Sequence, residues 1–388
     1  MGRRALSIGL SGVLVVGVGA ALLLGGREGN STPDAHRLTV VRGVIGSEKA
    51  PFFRDAAVRD AFADQGVAVE VESAGSRQIA TSVDLGELDF AFPGSGPTAE
   101  KIQRDHGITT SYAPFYSPMA IASFESVVDV LATEGVARKE ADGSWTFDMA
   151  AFMRLAARDI RWDQLHQDVY PVRKNILVRT TDPRNSNSAV MYLAITSHIA
   201  NGDQVVQDEA QEQAVLPEVT PLFMKQGFSA ATSAPPFDDY LSQGVGHTPL
   251  LFIYEAQFLD RAMEQDGSIV SDGTDPNRNM ILLYPSPTVL SNHTLVPLTE
   301  EGAAVGRLLE NDATLQRLAA EHGFRTRAPA QFAEVVAENV GDTVAVRANV
   351  VDVIDPPSYE TLERLLNSIE REYRADGAGS APDDEESG

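Results

Sequence analysis

The stretch that decides the fold is VAVEVESAGSRQIATSVDLGELDFAFPGSGPTAEKIQRDHG, residues 67–107. VAVEVES alternates apolar and polar residues, the period of a strand with one buried face. RQIATSVDLG changes to helical spacing, ELDFAFPG reads as a second strand, and GPTAEKIQRDHG as a helix with Pro97 in its first turn. Each strand hands over to a helix through a turn rich in glycine and serine. Such alternation implies a mainly parallel sheet with helices on its faces. At the first turn Gly75, Ser76 and Arg77 meet a helix start, where unpaired N–H groups and the positive end of the peptide dipole favour an anion. The same residues also suit an ordinary helix cap.

The pattern continues on both sides. RLTVVRGVIG, 37–46, reads as a strand, and PFFRDAAVRDAFADQG, 51–66, as one amphipathic helix ending at Gly66. SYAPFYSPMAIASF, 111–124, is a long apolar strand able to carry the chain into a second lobe. There, VARKEADGSWTFD reads as a hairpin around Asp142-Gly143, and MAAFMRLAARD as a helix capped by Asp148. NILVRTTDPRNSNSAVMYLAITSHIANG reads as strand, loop and helix, and GHTPLLFIYEAQFLDRAMEQDG repeats that order. MILLYPSPTVLSNHTLVPL, 280–298, is extended and broken by prolines, GAAVGRLLENDATLQRLAAEHGF is helical, and PSYETLERLLNSIEREYR is a further helix.

With 388 residues the chain has room for two cores, and 55 Asp+Glu against 31 Lys+Arg make its surface repel phosphate backbones, so nucleic acid is not an expected partner. There are no cysteines, which removes disulfides, thiolate metal sites and a lipidated N-terminal Cys. Arg3 and Arg4 precede 22 uncharged residues, Ala5 to Gly26, a helix of about 30 Å, enough to cross a bilayer with the rest of the chain outside. A cleaved signal peptide is the rival reading, and both export the protein. The tail 375–388 is too polar and rich in small residues to fold.

Four loops share the strand, turn, helix grammar: GSEK at 46–49, AGSR at 74–77, GSGP at 94–97 and DPRNSNS at 182–188. In an open parallel sheet the carboxyl ends of the strands collect at one edge, where ligands bind. That edge would gather Ser47, Ser76, Ser95 and Ser188, with Lys49 and Arg77 beside them. Arg184 faces the cleft or merely closes an Asp-Pro turn. Tyr116, Trp162 and Tyr254 line a cleft wall or belong to the core. The seven histidines show no metal spacing, no G-x-S-x-G elbow is present, and no acid–base or nucleophile constellation is visible, so no cofactor, metal or enzyme activity is expected.

The order of SAGSRQIA, GELDFAFPGSGP, FYSPMAIASF, WDQL, TDPRNSNSAVMY, LLFIYEAQF and LAAEHGFR resembles the two-lobed, type II extracellular solute-binding proteins of ABC transporters, over about residues 38–327. The resemblance implies two α/β lobes, each a mainly parallel sheet flanked by helices, joined by extended crossovers and closing on a ligand by hinge motion. It implies a first lobe at 38–117 with 294–327 and a second at 118–293; outside it lie the N-terminal anchor or signal segment at 1–26, a polar linker at 27–37 and a helical extension at 328–374. The hinge strands would be Tyr116–Phe124 and Tyr284–Leu290. Carried over by position, the ligand-holding turns fall on Gly46-Ser47, Gly75-Ser76-Arg77, Gly94-Ser95-Gly96 and Asn185–Ser188, with Asn187 among them, and on Tyr254-Glu255. The expected ligand is a small polar solute, foremost an oxyanion held by backbone N–H groups, serine hydroxyls and Arg77. Glu48 and Glu255 depart from that expectation, since carboxylates there repel a dianion. The expected protein is a monomer tethered outside the cell membrane, serving an ABC permease or another membrane protein. The alternative is an exported assembly module that keeps the fold without transport.

Overall fold

The computed structural model describes residues 38–165, 168–226, 230–264, 267, 270, 274–341 and 343–378. The N-terminal apolar segment, its linker and the acidic tail from 379 lie outside the described residues. Among the described residues no helix is long and apolar enough to cross a membrane.

The first half of the chain runs β1 (Thr39–Gly46), α1 (Ala50–Arg54), α2 (Ala56–Asp64), β2 (Val67–Ala74), α3 (Ser76–Thr81), β3 (Phe90–Phe92) and α4 (Gly96–His106). It crosses on β4 (Tyr112–Phe124) into α5 (Glu125–Thr133), the hairpin β5 (Ala137–Lys139) and β6 (Trp145–Asp148), and α6 (Met149–Ala157). Then come α7 (Asn187–Ala200), α8 (Glu209–Met224), α9 (Ala234–Gln243), β7 (Leu250–Tyr254) and α10 (Glu255–Met263). The chain returns on β8 (Met280–Ser286) and β9 (Leu290–Pro297), followed by α11 (Glu300–Asn311), α12 (Ala313–Glu321) and β10 (Arg325–Thr326). It ends in α13 (Pro329–Asn339) and α14 (Tyr359–Ala378). The last helix thus runs past Arg374, where the sequence suggested that the extension stops.

The single helix expected at 51–66 is two helices. Asp55 is extended (φ −60°, ψ 138°) and its carboxylate caps α2 by accepting from the Ala57 and Val58 N–H groups at 2.6 and 3.3 Å. The strand expected before α7 is reduced to one bridge, in which Arg179 exchanges backbone hydrogen bonds with Leu250 and Phe252.

Two sheets share β4. Its first half pairs with β9 as far as Pro118–Leu290 and with β10, and its second half, from Met119, pairs with β7 on one side and β8 on the other. The strand orders are β2-β1-β3-β9-β4-β10 and β7-β4-β8-β6-β5. Pairing is parallel in β2-β1-β3 and in β6-β8. The antiparallel pairs all involve β4 or β9, apart from the β5-β6 hairpin, because the two crossovers run against the strands they join. In each sheet most strands still point the same way.

Both faces are covered at the central strands β3 and β4, which is why these read as apolar runs, whereas β2 at the sheet edge keeps its alternation. In β3, Phe90 and Phe92 enter one core and Ala91 the other. In β4, Met119 and Ile121 face one core while Ala120, Ala122 and Phe124 face its opposite. The period of two, applied to a strand with cores on both sides, buries all three residues of β3 and the second half of β4.

Candidate functional site

Turns at the carboxyl ends of β1, β2, β3 and β7 converge with the start of α7 between the lobes. Gly94, directly after β3, is the centre of this convergence. Its N–H donates to Ser76 Oγ at 2.9 Å, and its carbonyl accepts from Asn187 Nδ2 at 3.0 Å and from the Ser291 hydroxyl. Asn187 Nδ2 also donates to the Tyr254 hydroxyl at 3.1 Å. A Cβ on Gly94 would stand 3.0 Å from Glu48 Oε1, 3.2 Å from the Tyr254 oxygen and 3.4 Å from Ser76 Oγ, so only glycine leaves these groups room to meet.

Glu48 lies at the heart of this arrangement. Its carboxylate is ion-paired with Lys49 Nζ and lies 3.3 Å from His293 Nδ1, which Lys49 Nζ reaches at 3.0 Å. Lys49 and His293 are fully buried, and Lys49 also sits over the Phe92 ring, 4.8 Å from its centre. Burial pushes the Glu48 carboxyl up, but the Lys49 ammonium and the His293 contact outweigh it and hold it well below the usual carboxylate range. Burial, with help from Lys49, lowers His293 to about 4, so the ring is neutral. Burial, joined by the Glu48 charge, pushes the Tyr254 hydroxyl well above its ordinary value. The cluster is a dry, hydrogen-bonded carboxylate–ammonium pair with a neutral imidazole beside it.

The residues singled out from the sequence divide into groups. Lys49, Ser76, Asn187 and Tyr254 surround Glu48 and Gly94. Ser47 reaches across the lobes to the Ser233 hydroxyl at 3.4 Å. Ser76 is the first helical residue of α3, and the cap is Gly75, whose N–H donates to Gln78 Oε1 at 3.1 Å. Ser95 caps α4 and donates to Thr98 Oγ1 at 2.7 Å. Ser188 bonds Thr181 and Ser186 within the second lobe. Arg77 makes a two-pronged contact with Glu363 of α14 at 2.7 and 2.8 Å and donates to the Arg184 carbonyl at 2.7 Å. The Arg184 side chain is held by Asp182. Glu255 is buried in a pair with Arg325 at 2.6 and 2.8 Å and accepts from the Tyr284 hydroxyl at 2.5 Å, apart from the Glu48 cluster.

Four participants escaped the sequence reading: His293, Ser291, Ser233 and Glu363. Ser291 and His293 are two apart on β9 and therefore share its inward face, a signal present in LSNHTL. Among the described residues no cluster of metal-binding side chains occurs.

Beside the cluster, a groove of about 610 Å³ opens between the lobes. Glu48, Arg54 and Ser73 line it from the first lobe, and Phe237, Asp238 and Arg261 from the second. Arg261 is paired with Glu264 at 2.5 Å, whereas Arg54 and Asp238 are exposed and make no ion pair among the described residues. The groove thus presents a free cation from one lobe and a free anion from the other.

No protein-family model and no curated protein matches the chain. Solved structures do. The chain is similar to an extracellular solute-binding protein from Bordetella parapertussis (TM-score 0.51, 10% identity, covering 87% of this chain and 98% of that one). It is similar to the periplasmic binding protein AfuA from Actinobacillus pleuropneumoniae with fructose-6-phosphate bound (0.50, 12%, 87% and 98%). It is also similar to iron-bound HitA from Pseudomonas aeruginosa (0.50, 12%, 86% and 98%). Two α/β lobes, two crossover strands and strand-end turns meeting between the lobes give this chain the fold of the two-lobed periplasmic solute-binding proteins.

Proposed function

We propose that the chain is an extracytoplasmic solute-binding protein, tethered by its N-terminal apolar segment, that captures a small polar solute in the interlobe groove for transport or sensing. The observation that carries this reading is the groove itself, about 610 Å³ between two lobes of binding-protein fold, with Arg54 and Asp238 unpaired on opposite sides. The similar proteins include one with a sugar phosphate bound and one with iron bound, so the fold is compatible with polar and ionic ligands. Opposite free charges favour a polar organic or zwitterionic solute over the oxyanion expected from the turns, because Lys49, Arg77 and Arg184 already hold the chain's own carboxylates. No step of covalent chemistry is needed.

A thermal-shift screen of small polar solutes, zwitterions and oxyanions tests the reading. One solute class should raise the unfolding midpoint by mass action, and Arg54→Ala and Asp238→Asn should each weaken that effect about tenfold or more. A midpoint unmoved by every class, or a shift that ignores both substitutions, defeats it. The second reading, an exported assembly module, is favoured by α14, whose Glu363 occupies Arg77 in the first turn of α3.

A further inference from the structure

We infer that Glu48 is the resident anion of the cleft: its carboxylate fills the cradle in which the strand-end turns would otherwise hold a free oxyanion. The protein therefore excludes small oxyanions, and acquires a site for them when that side chain is removed. This rests on reading the interlobe cleft as the solute-facing site and names what that cleft rejects.

Three observations carry the inference. The first is geometric. The Glu48 carboxylate lies against the two glycines that end β1 and β3, so that a Cβ on Gly46 would collide with it and one on Gly94 would stand 3.0 Å from Oε1. Lys49 Nζ, His293 Nδ1, the Tyr254 hydroxyl and Ser76 Oγ are gathered around the same point. A carboxylate is chemically an oxyanion on a two-carbon leash.

The second is electrostatic. Lys49 has no exposed surface, and Glu48 is its sole ion-pair partner among the described residues. An ammonium in that position needs an anion, and the chain supplies one from the adjacent residue. The third is incomplete satisfaction. Asn187 Oδ1 and His293 Nε2 are buried without a hydrogen-bond partner among the described residues, although both side chains are more than nine-tenths buried. His293 Nδ1 lies within reach of both Lys49 Nζ and Glu48 Oε1, and in the tautomer in which it accepts from Lys49 the ring's own proton sits on the orphaned Nε2. Of these two atoms only His293 Nε2 can donate to an anion; Asn187 Oδ1 is an acceptor and adds nothing to oxyanion binding. Glu48 itself also lines the groove.

The test uses the purified full chain with sulfate, phosphate and acetate as probes, read by unfolding midpoint and titration calorimetry. The wild-type protein should show no specific response to these ions. Glu48→Ala should bind acetate or an inorganic oxyanion at least tenfold more tightly than wild type does. At about 100 times the dissociation constant its midpoint should recover by about 4 °C. Glu48→Ala combined with Lys49→Met should lose that gain, which places the ion beside Lys49. Saturable oxyanion binding by wild type overturns the inference, as does a folded Glu48→Ala protein that gains nothing, or a gain that survives Lys49→Met.

If Glu48→Ala does not fold, a crystal of the wild-type protein grown in sulfate decides. The inference expects the Glu48 carboxylate in the cradle, and an ion there with Glu48 swung out overturns it. A failed search for a groove solute leaves these results untouched, so the two readings fail separately.

Discussion

Two histidines have opposite environments and therefore opposite consequences for stability. His293 is lowered from 6.5 to about 4 by burial and by Lys49, with Glu48 opposing, so the unfolded chain takes up a proton that the folded one refuses. Its contribution is fully present above pH 6.5 and is lost as the pH falls from there to about 4. At about 1.4 kcal/mol per unit this amounts to roughly 3 kcal/mol. His322 has the reverse sign: burial pulls it down, but Asp260 at 2.6 Å and Asp55 outweigh that and raise it above 6.5. Its stabilisation is complete below 6.5 and disappears as the pH rises through its raised value, so the two windows do not overlap. Urea titrations at a series of pH values should show stability falling between 6.5 and 4, and His293→Gln should flatten that limb. An unchanged slope in the variant would contradict the assignment.

Among the helices, α14 has a double attachment. Leu362, Leu365, Leu366 and Ile369, at helical spacing, are buried in the core of the second lobe. Arg364 pairs with Glu212 of α8, and the Tyr373 hydroxyl donates to the Phe223 carbonyl at 2.8 Å. On its other flank Glu363 holds Arg77 of α3, and Glu360 pairs with Arg104 of α4 at 2.5 Å, both in the first lobe. The helix therefore straddles one side of the cleft. Replacing Glu363 by alanine should cost about 1–2 kcal/mol in urea unfolding, the range of a charge-assisted pair discounted for its partial exposure. It should also lengthen the distance between spin labels placed on the two lobes. A variant with unchanged stability and spacing would show that α14 merely decorates the second lobe. The spacing of α14 is legible in the sequence, whereas α8 carries Pro217 and Pro221 inside it, each of which removes a helical hydrogen bond. Burial of Val215, Val219 and Phe223 against α7 and α14 compensates for the loss.

The lobes and the C-terminal extension meet at one buried junction. Arg325 of β10 grips Glu255 at the start of α10, and Glu255 accepts from Tyr284 of β8. The guanidinium also donates to the Arg347 carbonyl at 2.5 Å and the Ala348 carbonyl at 3.1 Å, and stacks over Phe332. One residue pair thus ties the first lobe, the second lobe and the extension together. Glu255→Ala strands an arginine that is raised further above its already high value by its carboxylate despite burial, and should destabilise the protein by about 3–5 kcal/mol. Calorimetry checks this: wild type should unfold in one transition, and the variant at a lower temperature with the lobes uncoupled. A loss below 1 kcal/mol, as for a surface pair, would refute the role.

Patterning alone set the strand and helix alternation from β1 to α4, the long strand β4 and the turns that carry Ser47, Ser76 and Ser95. Periodicity is local, and each turn is written in a few adjacent residues. Partner choice depends on distance in space: Arg77 finds a carboxylate 286 residues away, and Lys49 finds His293 across 244. Whether a charged side chain near a strand end serves a ligand or another part of the same chain follows from what lies opposite once the lobes have come together. For Arg77 and Glu255 folding brought that counterpart from a distant part of the chain, Glu363 and Arg325, whereas Lys49 and Arg184 pair with Glu48 and Asp182, one and two residues away.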